Sequence, residues 1–473
     1  MKFSRRHFLA TGAALAAPRA ANAQPAPHFR TLEARKGRLR LEASRALETD
    51  VWTFDGQAPG PVLRYRKGDE IRIRFVNRLD EPCALHWGGM RIDNAMDGVP
   101  DLTQKPVQPG QSFDYQFTAP DAGLYWYHAS GPNMAEQVAR GLAGLLIVEE
   151  TEPPAVHREI ISVITDWRLD PKGQLATCAI GGKTSFSSSS DFMSAGRIGD
   201  MLMVNAQMTP EKVDIEPGSR VRLRLANFST ARIMAVTFEG LLPMVIGIDG
   251  QACGAFEPVR RTIPVGPGSR FDVMFDLPNA SGARAAVRMT GMDQLGGGPD
   301  RDLVVFDIRG KSRPSLGPIV GPEQNPLLPP IIRLDRATRL DLSIEGGFAN
   351  DAEMKRQPVC MAAGGAVWKI NGRTGKALND KPLFSVARGT AVSLGFINKS
   401  RVAQVIRLHG HVMRQLHLLD DGWEPYWRDS VIVPPGKTVR VAFVADNPGK
   451  WRLGSGILEH AVSGLSAWFE VKA

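Results

Sequence analysis

The sequence predicts an all-β protein made of three consecutive Greek-key β-sandwich domains. The main observation is a strand signature that occurs three times along the chain. The second is composition, because 48 glycines and 34 prolines among 473 residues are typical of a chain with many turns. Apolar residues account for 43% of the chain, which is sufficient for several cores and argues against wholesale disorder. At roughly 100–200 residues per domain, this length also predicts about three domains.

The first strand of the signature begins at a glycine, alternates apolar and polar residues, and ends at an asparagine. It occupies residues 68–77, 218–227 and 389–398. Alternation with a period of two predicts a half-buried strand, and the leading glycine predicts a turn before it. Each copy is therefore expected to place one of its faces in a core.

A second strand follows each copy, and it begins at a glycine that comes directly after a proline. These second strands are predicted at residues 110–117, 268–275 and 436–443. Three paired occurrences in the same order are not expected by chance. They predict three homologous domains, and short strands with frequent turns favour a two-sheet sandwich for each.

Composition also sets the predicted domain boundaries. The segment 149–154 is polar and contains two prolines, and residues 310–332 are rich in proline, so both regions are predicted to be linkers. The predicted division is an export signal at 1–23, domains at 24–150, 155–310 and 336–473, and a Pro-rich linker at 311–335.

The N-terminal residues have the features of a twin-arginine export signal. Arg5 and Arg6 precede a short apolar stretch, and Ala-Asn-Ala at 21–23 fits a cleavage site. We therefore expect a periplasmic protein exported by the twin-arginine pathway, and a monomer. No apolar run approaches the ~20 residues of a membrane span, so no transmembrane segment is predicted. The net charge of +9 is scattered without Lys/Arg blocks, so nucleic acid is not an expected partner.

The four cysteines could form disulfides in an oxidising compartment. Cys83, Cys178, Cys253 and Cys360 are far apart and show no CxxC or zinc-site spacing. The sequence leaves their pairing open, and buried free thiols with one bridge are expected.

Four segments carry a resemblance to a known family. They are Leu-His-Trp-Gly-Gly-Met at 85–90 with its continuation to 100, Leu-Tyr-Trp-Tyr-His-Ala-Ser at 124–130, Arg-Leu-His-Gly-His at 407–411, and residues 449–460. Together they resemble the motifs of the three-domain multicopper oxidases, the laccase-like enzymes with cupredoxin domains. The first and third domains carry two motifs each, as in that family. The resemblance implies three cupredoxin-like sandwiches.

The resemblance also implies a strict set of copper ligands. In the family, two histidines, a cysteine and an axial methionine hold a blue copper, and eight histidines hold a trinuclear cluster that reduces dioxygen. The family pattern reads HxH, HxH, HxxHxH and HCHxxxHxxxxM. At these positions the present sequence has His86 and Gly88, His128 and Ser130, Gln404, Arg407 and His409, and Gly454, Ser455, Gly456, His460 and Leu465.

Most of these replacements cannot hold copper. Glycine offers no ligand atom, and Ser455 lacks the soft thiolate of a blue copper site. Arg407 keeps its proton, and at 4 Å its repulsion of each copper charge is roughly 4 kcal/mol at an effective dielectric near 20. We therefore expect no ordinary trinuclear cluster, and we expect Asp97 to form a turn or to pair with Arg407.

The four retained family positions are His86, His128, His409 and His460. They are the candidate metal ligands, and we expect either no cofactor or at most one residual Cu or Zn ion in place of the family's copper set. The alternative is that these histidines are hydrogen-bonded core residues. No catalytic residue is assigned.

The expected function is that of a multicopper-oxidase-like protein that has lost most copper ligands. Such a protein would act as a non-catalytic binding or scaffold protein for a periplasmic protein or small molecule. Its pattern of loss resembles the SufI (FtsP) type of septal-ring protein, which suggests a cell-envelope or division role. The alternative is a copper-dependent oxidoreductase that oxidises phenols or metal ions with dioxygen.

Overall fold

The structure is a computed structural model that describes residues 28–41, 47–180, 183–290, 300–350, 353, 360, 366–375, 381–417 and 422–473. The predicted export signal at residues 1–23 lies outside this part. Within the described ranges, every helix is too short or too polar to span a bilayer.

The first domain is a sandwich of two sheets, each with four strands in its described residues. Its strands are Arg30–Leu39 (β1), Thr49–Phe54 (β2), Gly60–Arg66 (β3), Glu70–Asn77 (β4), Ala84–Gly88 (β5), Ser112–Thr118 (β6), Gly123–Ser130 (β7) and Ala143–Glu149 (β8). The sheet orders are β2-β1-β4-β6 and β3-β8-β7-β5. A 3-10 turn at Asn94–Met96 and the helix Met134–Ala139 (α1) complete the domain.

The second domain packs a seven-stranded sheet against a five-stranded sheet, counted over the residues that are described. Its strands are Arg158–Trp167 (β9), Cys178–Ile180 (β10), Lys183–Ser185 (β11), Met201–Val204 (β12), Gln207–Met208 (β13), Glu211–Ile215 (β14), Arg220–Asn227 (β15), Met234–Glu239 (β16), Met244–Ile248 (β17), Gln251–Phe256 (β18), Thr262–Val265 (β19), Arg270–Asp276 (β20), Ala285–Thr290 (β21) and Arg301–Ile308 (β22). The orders are β13-β12-β9-β15-β20-β17-β18 and β14-β22-β21-β16-β19, with β10 and β11 as a separate hairpin. The helix Ser189–Met193 (α2) and a 3-10 turn at Val259–Arg261 lie between strands.

The third domain contains two sheets that have five strands each in the described part of the chain. Its strands are Thr338–Gly346 (β23), Trp368–Ile370 (β24), Ser385–Ala387 (β25), Thr390–Asn398 (β26), Gln404–Leu408 (β27), Arg414–Gln415 (β28), Ser430–Val433 (β29), Thr438–Ala445 (β30), Gly449–Ser455 (β31) and Ser466–Lys472 (β32). The orders are β24-β23-β26-β30-β28 and β25-β32-β31-β27-β29. The helix Leu458–Val462 (α3) follows β31.

The predicted strand repeat takes the same position in all three domains. The two strands of the signature pair antiparallel as β4 with β6, β15 with β20, and β26 with β30. The first strand of each pair also runs parallel to the opening strand of its domain, β1, β9 or β23. Each sandwich buries its own apolar core. The prediction of three consecutive β-sandwich domains is confirmed.

The asparagine that ends each signature strand has a structural reason. Asn77, Asn227 and Asn398 are buried, and each side-chain oxygen accepts the backbone N–H two residues later at 2.9–3.0 Å. Each side-chain amide donates to backbone carbonyls at 2.8 Å. This turn replaces ladder hydrogen bonds where the strand stops, which glutamine or leucine could not do.

A disulfide between Cys178 and Cys360 connects the second domain to the segment before β24. Cys83 and Cys253 are buried free thiols. The pairing that the sequence left open is therefore one bridge that closes a long section of the chain.

Candidate functional site

The structure brings three of the four candidate metal ligands together. His86 on β5 lies directly opposite His128 on β7, and their ring centroids are 5.2 Å apart. His409 follows β27 in the third domain, and its ring stacks on His86 with centroids 4.0 Å apart. All three are buried. His460 in α3 packs instead against Trp368, at a centroid distance of 4.2 Å.

Asp97 connects two of these rings. Its Oδ2 lies 3.0 Å from His409 Nδ1, and its backbone oxygen lies 2.7 Å from His86 Nδ1. Because both oxygens accept hydrogen bonds, Nδ1 carries the proton in both rings. Burial acts to raise the pKa of Asp97, but His409 and His86 hold that pKa well below its ordinary value. We call His86, Asp97, His128 and His409 the histidine cluster.

The bonds at Nδ1 leave the other ring nitrogens available. His128 Nδ1 donates to Ala129 O at 2.7 Å, and burial together with His86 lowers the pKa of His128 well below its ordinary value. Burial and His86 also lower the pKa of His409 to about 4. Among the described residues, His86 Nε2 is buried without a hydrogen-bond partner. The lowered pKa values make His128 and His409 neutral imidazoles at neutral pH. The ligand atoms of His86, Asp97 and His409 lie within 4.8 Å of one another.

Trp126 fills the space beside His86. A Cβ placed on Gly88 would overlap Trp126 Nε1, so this position has no room for a side chain. The Trp126 ring is 4.1 Å from the His128 ring, and the Arg407 Cζ lies 5.3 Å from the centroid of the same indole. An indole and a guanidinium therefore occupy the side of the histidine cluster where the family motif would place further imidazoles.

The expected pairing of Asp97 with Arg407 is wrong. Arg407 Nη2 donates to Pro267 O at 2.9 Å, and its Nη1 lies 3.7 Å from Asp429 Oδ1. The guanidinium is directed toward the second domain, while the Asp97 carboxylate is already shared by two imidazoles. The turn alternative agrees with the structure, because Asp97 caps the 3-10 turn at Asn94–Met96.

His460 has both ring nitrogens engaged. Nε2 lies 2.7 Å from Ser194 O, which can only accept, so Nε2 carries the proton. Nδ1 lies 2.9 Å from Gln404 Oε1. Ser455 Oγ accepts the N–H of Ile457 at 3.0 Å. The side chains at the predicted blue-copper positions thus form a hydrogen-bonded packing arrangement around His460.

Sequence reasoning missed a group of buried charges where the three domains meet. Arg270 Nη2 donates to Asp429 Oδ2 at 2.7 Å, and both side chains have 0% exposure. Arg270 Nη1 is 3.7 Å from Asp249 Oδ1, and Arg407 completes the group. We call Asp249, Arg270, Arg407 and Asp429 the junction charge cluster. The signal for it in the sequence is weak, because Arg270 opens a strand, β20, that also contains Asp272 and Asp276.

The pKa values of the two acids in the junction charge cluster shift in opposite directions. Burial acts to raise the pKa of Asp429, but Arg270 and Arg407 hold that pKa below its ordinary value. Burial and the charge of Asp429 raise the pKa of Asp249. Asp249 Oδ2 accepts the hydroxyl of Ser430 at 2.9 Å. Two guanidinium groups are thus balanced by buried carboxyl groups from the second and third domains.

Comparisons with known proteins extend over most of the chain. Residues 38–153, 163–294 and 351–473 match three profiles described as multicopper oxidase. The multicopper oxidase MmcO of Mycobacterium tuberculosis is 27% identical over 451 residues, which cover 88% of this chain and 82% of that protein. The crystal structure of a multi-copper oxidase from Pseudomonas Thermotolerans has a TM-score of 0.78 and 29% identity, covering 94% of this chain and 99% of that one.

A protein with a different named role is also similar. Cell division protein FtsP of Salmonella typhimurium is 32% identical over 307 residues, which cover 59% of this chain and 61% of that protein. Laccase-1 of Cryptococcus neoformans is matched over 40% of its length, and the multicopper oxidase mco of Staphylococcus aureus over 53%. Several of these relatives are thus matched over about half of their own length.

The packing at Gly88 generates a first prediction. Gly88→Ala should lower stability by roughly 1–3 kcal/mol, because the added methyl overlaps the Trp126 indole. Thermal unfolding followed by circular dichroism would measure this change. Gly254→Ala is the matched control, since a Cβ there lies 3.8 Å from Gln324 Nε2. Adding Trp126→Phe to Gly88→Ala should recover part of the loss, and equal midpoints for both glycine variants would contradict this account.

Burial of His460 generates a second prediction. Burial lowers the pKa of this ring from the ordinary 6.5 to about 3, so between these values the unfolded chain binds a proton that the folded chain does not. Stability should therefore fall as pH drops from 6.5 toward 3. In His460→Gln the thermal midpoint should fall less over this range, with His28→Gln as an exposed control. Parallel pH profiles for wild type and His460→Gln would refute the assignment.

Proposed function

The chain belongs to the multicopper oxidase family, and on this premise we propose that it is a non-catalytic binding protein that has lost the family's copper chemistry. The single observation that supports the proposal most is the occupied space beside the histidine cluster. Trp126 fills the volume at Gly88, and Arg407 lies over the indole. These groups stand where an oxidase of this family needs copper and imidazoles.

A trinuclear copper cluster does not fit the residues present. The histidine cluster offers three imidazoles and one carboxylate, whereas the family holds its trinuclear copper cluster with eight imidazoles. A side chain at Gly88 would require Trp126 to move. Arg407 is fixed by Pro267 O and Asp429, so its positive charge cannot swing away from bound copper. Steric overlap at Gly88 and the positive charge of Arg407 therefore both disfavour a trinuclear copper cluster.

A blue copper site does not fit either. Such a site needs a cysteine thiolate beside two imidazoles, and Ser455 supplies a hard hydroxyl that already accepts a backbone N–H. Among the described residues the free cysteines are Cys83 and Cys253, and burial raises the pKa of each thiol to about 12. His460 Nε2 donates to Ser194 O at 2.7 Å, and its Nδ1 faces Gln404 Oε1 at 2.9 Å. Among the described residues, the family's blue-copper positions therefore lack the thiolate that accepts electrons from substrate, which favours a binding role over catalysis.

We place this binding role in the periplasm. The twin-arginine signal features at residues 1–23 support export. The similarity to a protein named for cell division, FtsP, supports a partner in the cell envelope. A monomer that binds a periplasmic protein or a small molecule through the retained scaffold agrees with both observations.

A second candidate role is the binding of one Zn or Cu ion by the histidine cluster. The observation that favours it is His86 Nε2, which is buried without a hydrogen-bond partner in the described structure. The Asp97 carboxylate lies between two imidazoles, with Oδ1 3.3 Å from His86 Nδ1 and Oδ2 3.0 Å from His409 Nδ1. Ring nitrogens of His86 and His409 and a carboxylate oxygen of Asp97 lie within 4.8 Å of one another and would be the ligands, and such an ion would supply Lewis-acid character at an open fourth position.

Copper loading tests the main proposal. After reconstitution with copper salts, the folded protein should show no blue absorbance and no oxygen consumption with a phenolic donor. Metal analysis and absorption spectroscopy on the same sample would measure this, with a multicopper oxidase relative treated in parallel as the positive control. A full set of bound copper ions with blue colour would establish the alternative, a copper-dependent oxidoreductase acting on phenols or metal ions.

Calorimetry tests the second role. Titration with zinc should show one bound ion, and His86→Ala should abolish the binding because it removes a ligand and frees Asp97. His28→Ala, an exposed histidine, is the matched control for loss of an imidazole. If the wild-type protein binds no zinc or copper, the histidine cluster is a packed core group and the single-ion role is excluded.

A further inference from the structure

We propose that the second and third domains form a binding cavity for a flat, uncharged aromatic molecule that carries a hydrogen-bond acceptor. The cavity has a volume of about 610 Å³, within the 300–1,000 Å³ typical of small-molecule sites. Its walls come from β17 to β20 of the second domain and, in the third, from residues 424–428 with strands β28 and β29. No histidine lies among its described lining residues, so this inference does not depend on the copper question.

The floor of the cavity is apolar. Val245, Ile248, Ile263 and Phe271 line it and belong to the buried core of the second domain. A ligand on this surface would displace water from aliphatic and aromatic carbon, which favours binding of an apolar body. The rim of the cavity is also apolar, because Val259 lines it and is 84% exposed. An apolar ligand body fits both surfaces.

Aromatic side chains from both domains meet at the cavity. Phe256 of β18 and Tyr426 of the third domain stack with centroids 5.1 Å apart and ring planes 7° apart. Both rings are half-buried, and both line the cavity. A flat ring can extend this parallel stack at favourable separation, whereas a bulky aliphatic ligand cannot. The geometry therefore favours a planar aromatic ligand.

The polar lining sets the rest of the ligand's chemistry. Arg428 Nη2 pairs with Glu424 Oε2 at 2.7 Å, and its Nη1 lies 3.3 Å from Gln415 Oε1. Its Nε is buried and has no hydrogen-bond partner among the described residues, so one donor remains for a ligand. Asp249 and Glu257 also line the cavity. With Glu424 they make three acidic side chains against one basic side chain, Arg428, in the described lining. An acceptor on an uncharged ligand is thus favoured over a carboxylate or sulfonate.

Gly254 allows the cavity to be closed by one substitution. It lines the opening, its backbone is outside the left-handed region, and a Cβ there lies 3.8 Å from Gln324 Nε2. Gly254→Trp would place an indole in the cavity without backbone strain. Gly254→Ala adds one methyl and leaves the volume nearly unchanged, so it is the matched control.

The test uses prodan, an uncharged naphthyl ketone whose emission brightens and shifts to the blue in apolar surroundings. Wild type should bind one prodan saturably, Gly254→Ala should bind it within about twofold, and Gly254→Trp should lose at least tenfold in affinity. Arg428→Lys keeps the charge pair with Glu424 but removes the Nε–H, and it should weaken prodan about tenfold while leaving an unsubstituted naphthalene unaffected. Circular dichroism and thermal midpoints establish that each variant is folded.

Three outcomes would overturn the proposal. They are a lack of saturable prodan binding by wild type, equal affinities for wild type and folded Gly254→Trp, and equally tight binding of anilinonaphthalene sulfonate. Saturable prodan binding lost in Gly254→Trp and weak sulfonate binding would support it. The titrations are repeated on copper-treated protein, and an unchanged prodan affinity separates this result from the outcome of the copper-loading experiment.

Discussion

The ion pair between Arg270 and Asp429 is the constraint on which the meeting of the three domains depends. Both side chains have 0% exposure, one from the second domain and one from the third, and Arg270 Nε also donates to Leu124 O of the first domain at 3.2 Å. Removing either partner would leave an uncompensated buried charge, which is strongly destabilising. Gly89 accommodates the pair, because a Cβ there would overlap both the guanidinium and the carboxylate. A motif glycine thus permits close contact between domains.

The histidine cluster and the proposed cavity both depend on this junction. His409 reaches His86 and Asp97 only because the third domain lies against the first, and the cavity exists only between the second and third. Asp249 belongs to the junction charge cluster and also lines the cavity. The two candidate sites are therefore separate in chemistry but share the interaction that holds their walls in place.

Part of this arrangement could be predicted from the sequence, because periodicity and motif order are local signals. The threefold strand signature predicts the pairing of β4 with β6 and its two counterparts, and the motifs indicate which histidines face one another. Contacts between distant segments could not be predicted. Spacing does not reveal that Trp126 fills the volume at Gly88, or that Arg407 lies near Asp429 instead of Asp97. Those outcomes depend on how whole domains dock, which a single sequence does not encode in any local pattern.

The disulfide between Cys178 and Cys360 has a topological consequence for the molecule. It joins two points of the chain that are 182 residues apart, and the Pro-rich segment 311–335, which lies between β22 and β23, is inside the resulting covalent ring. A protease that cuts this linker would open the ring without dividing the molecule in two. The third domain would remain attached to the first two by the sulfur bridge. Release would require a second event, the reduction of that bridge, so the exposed linker does not by itself determine the lifetime of the intact assembly.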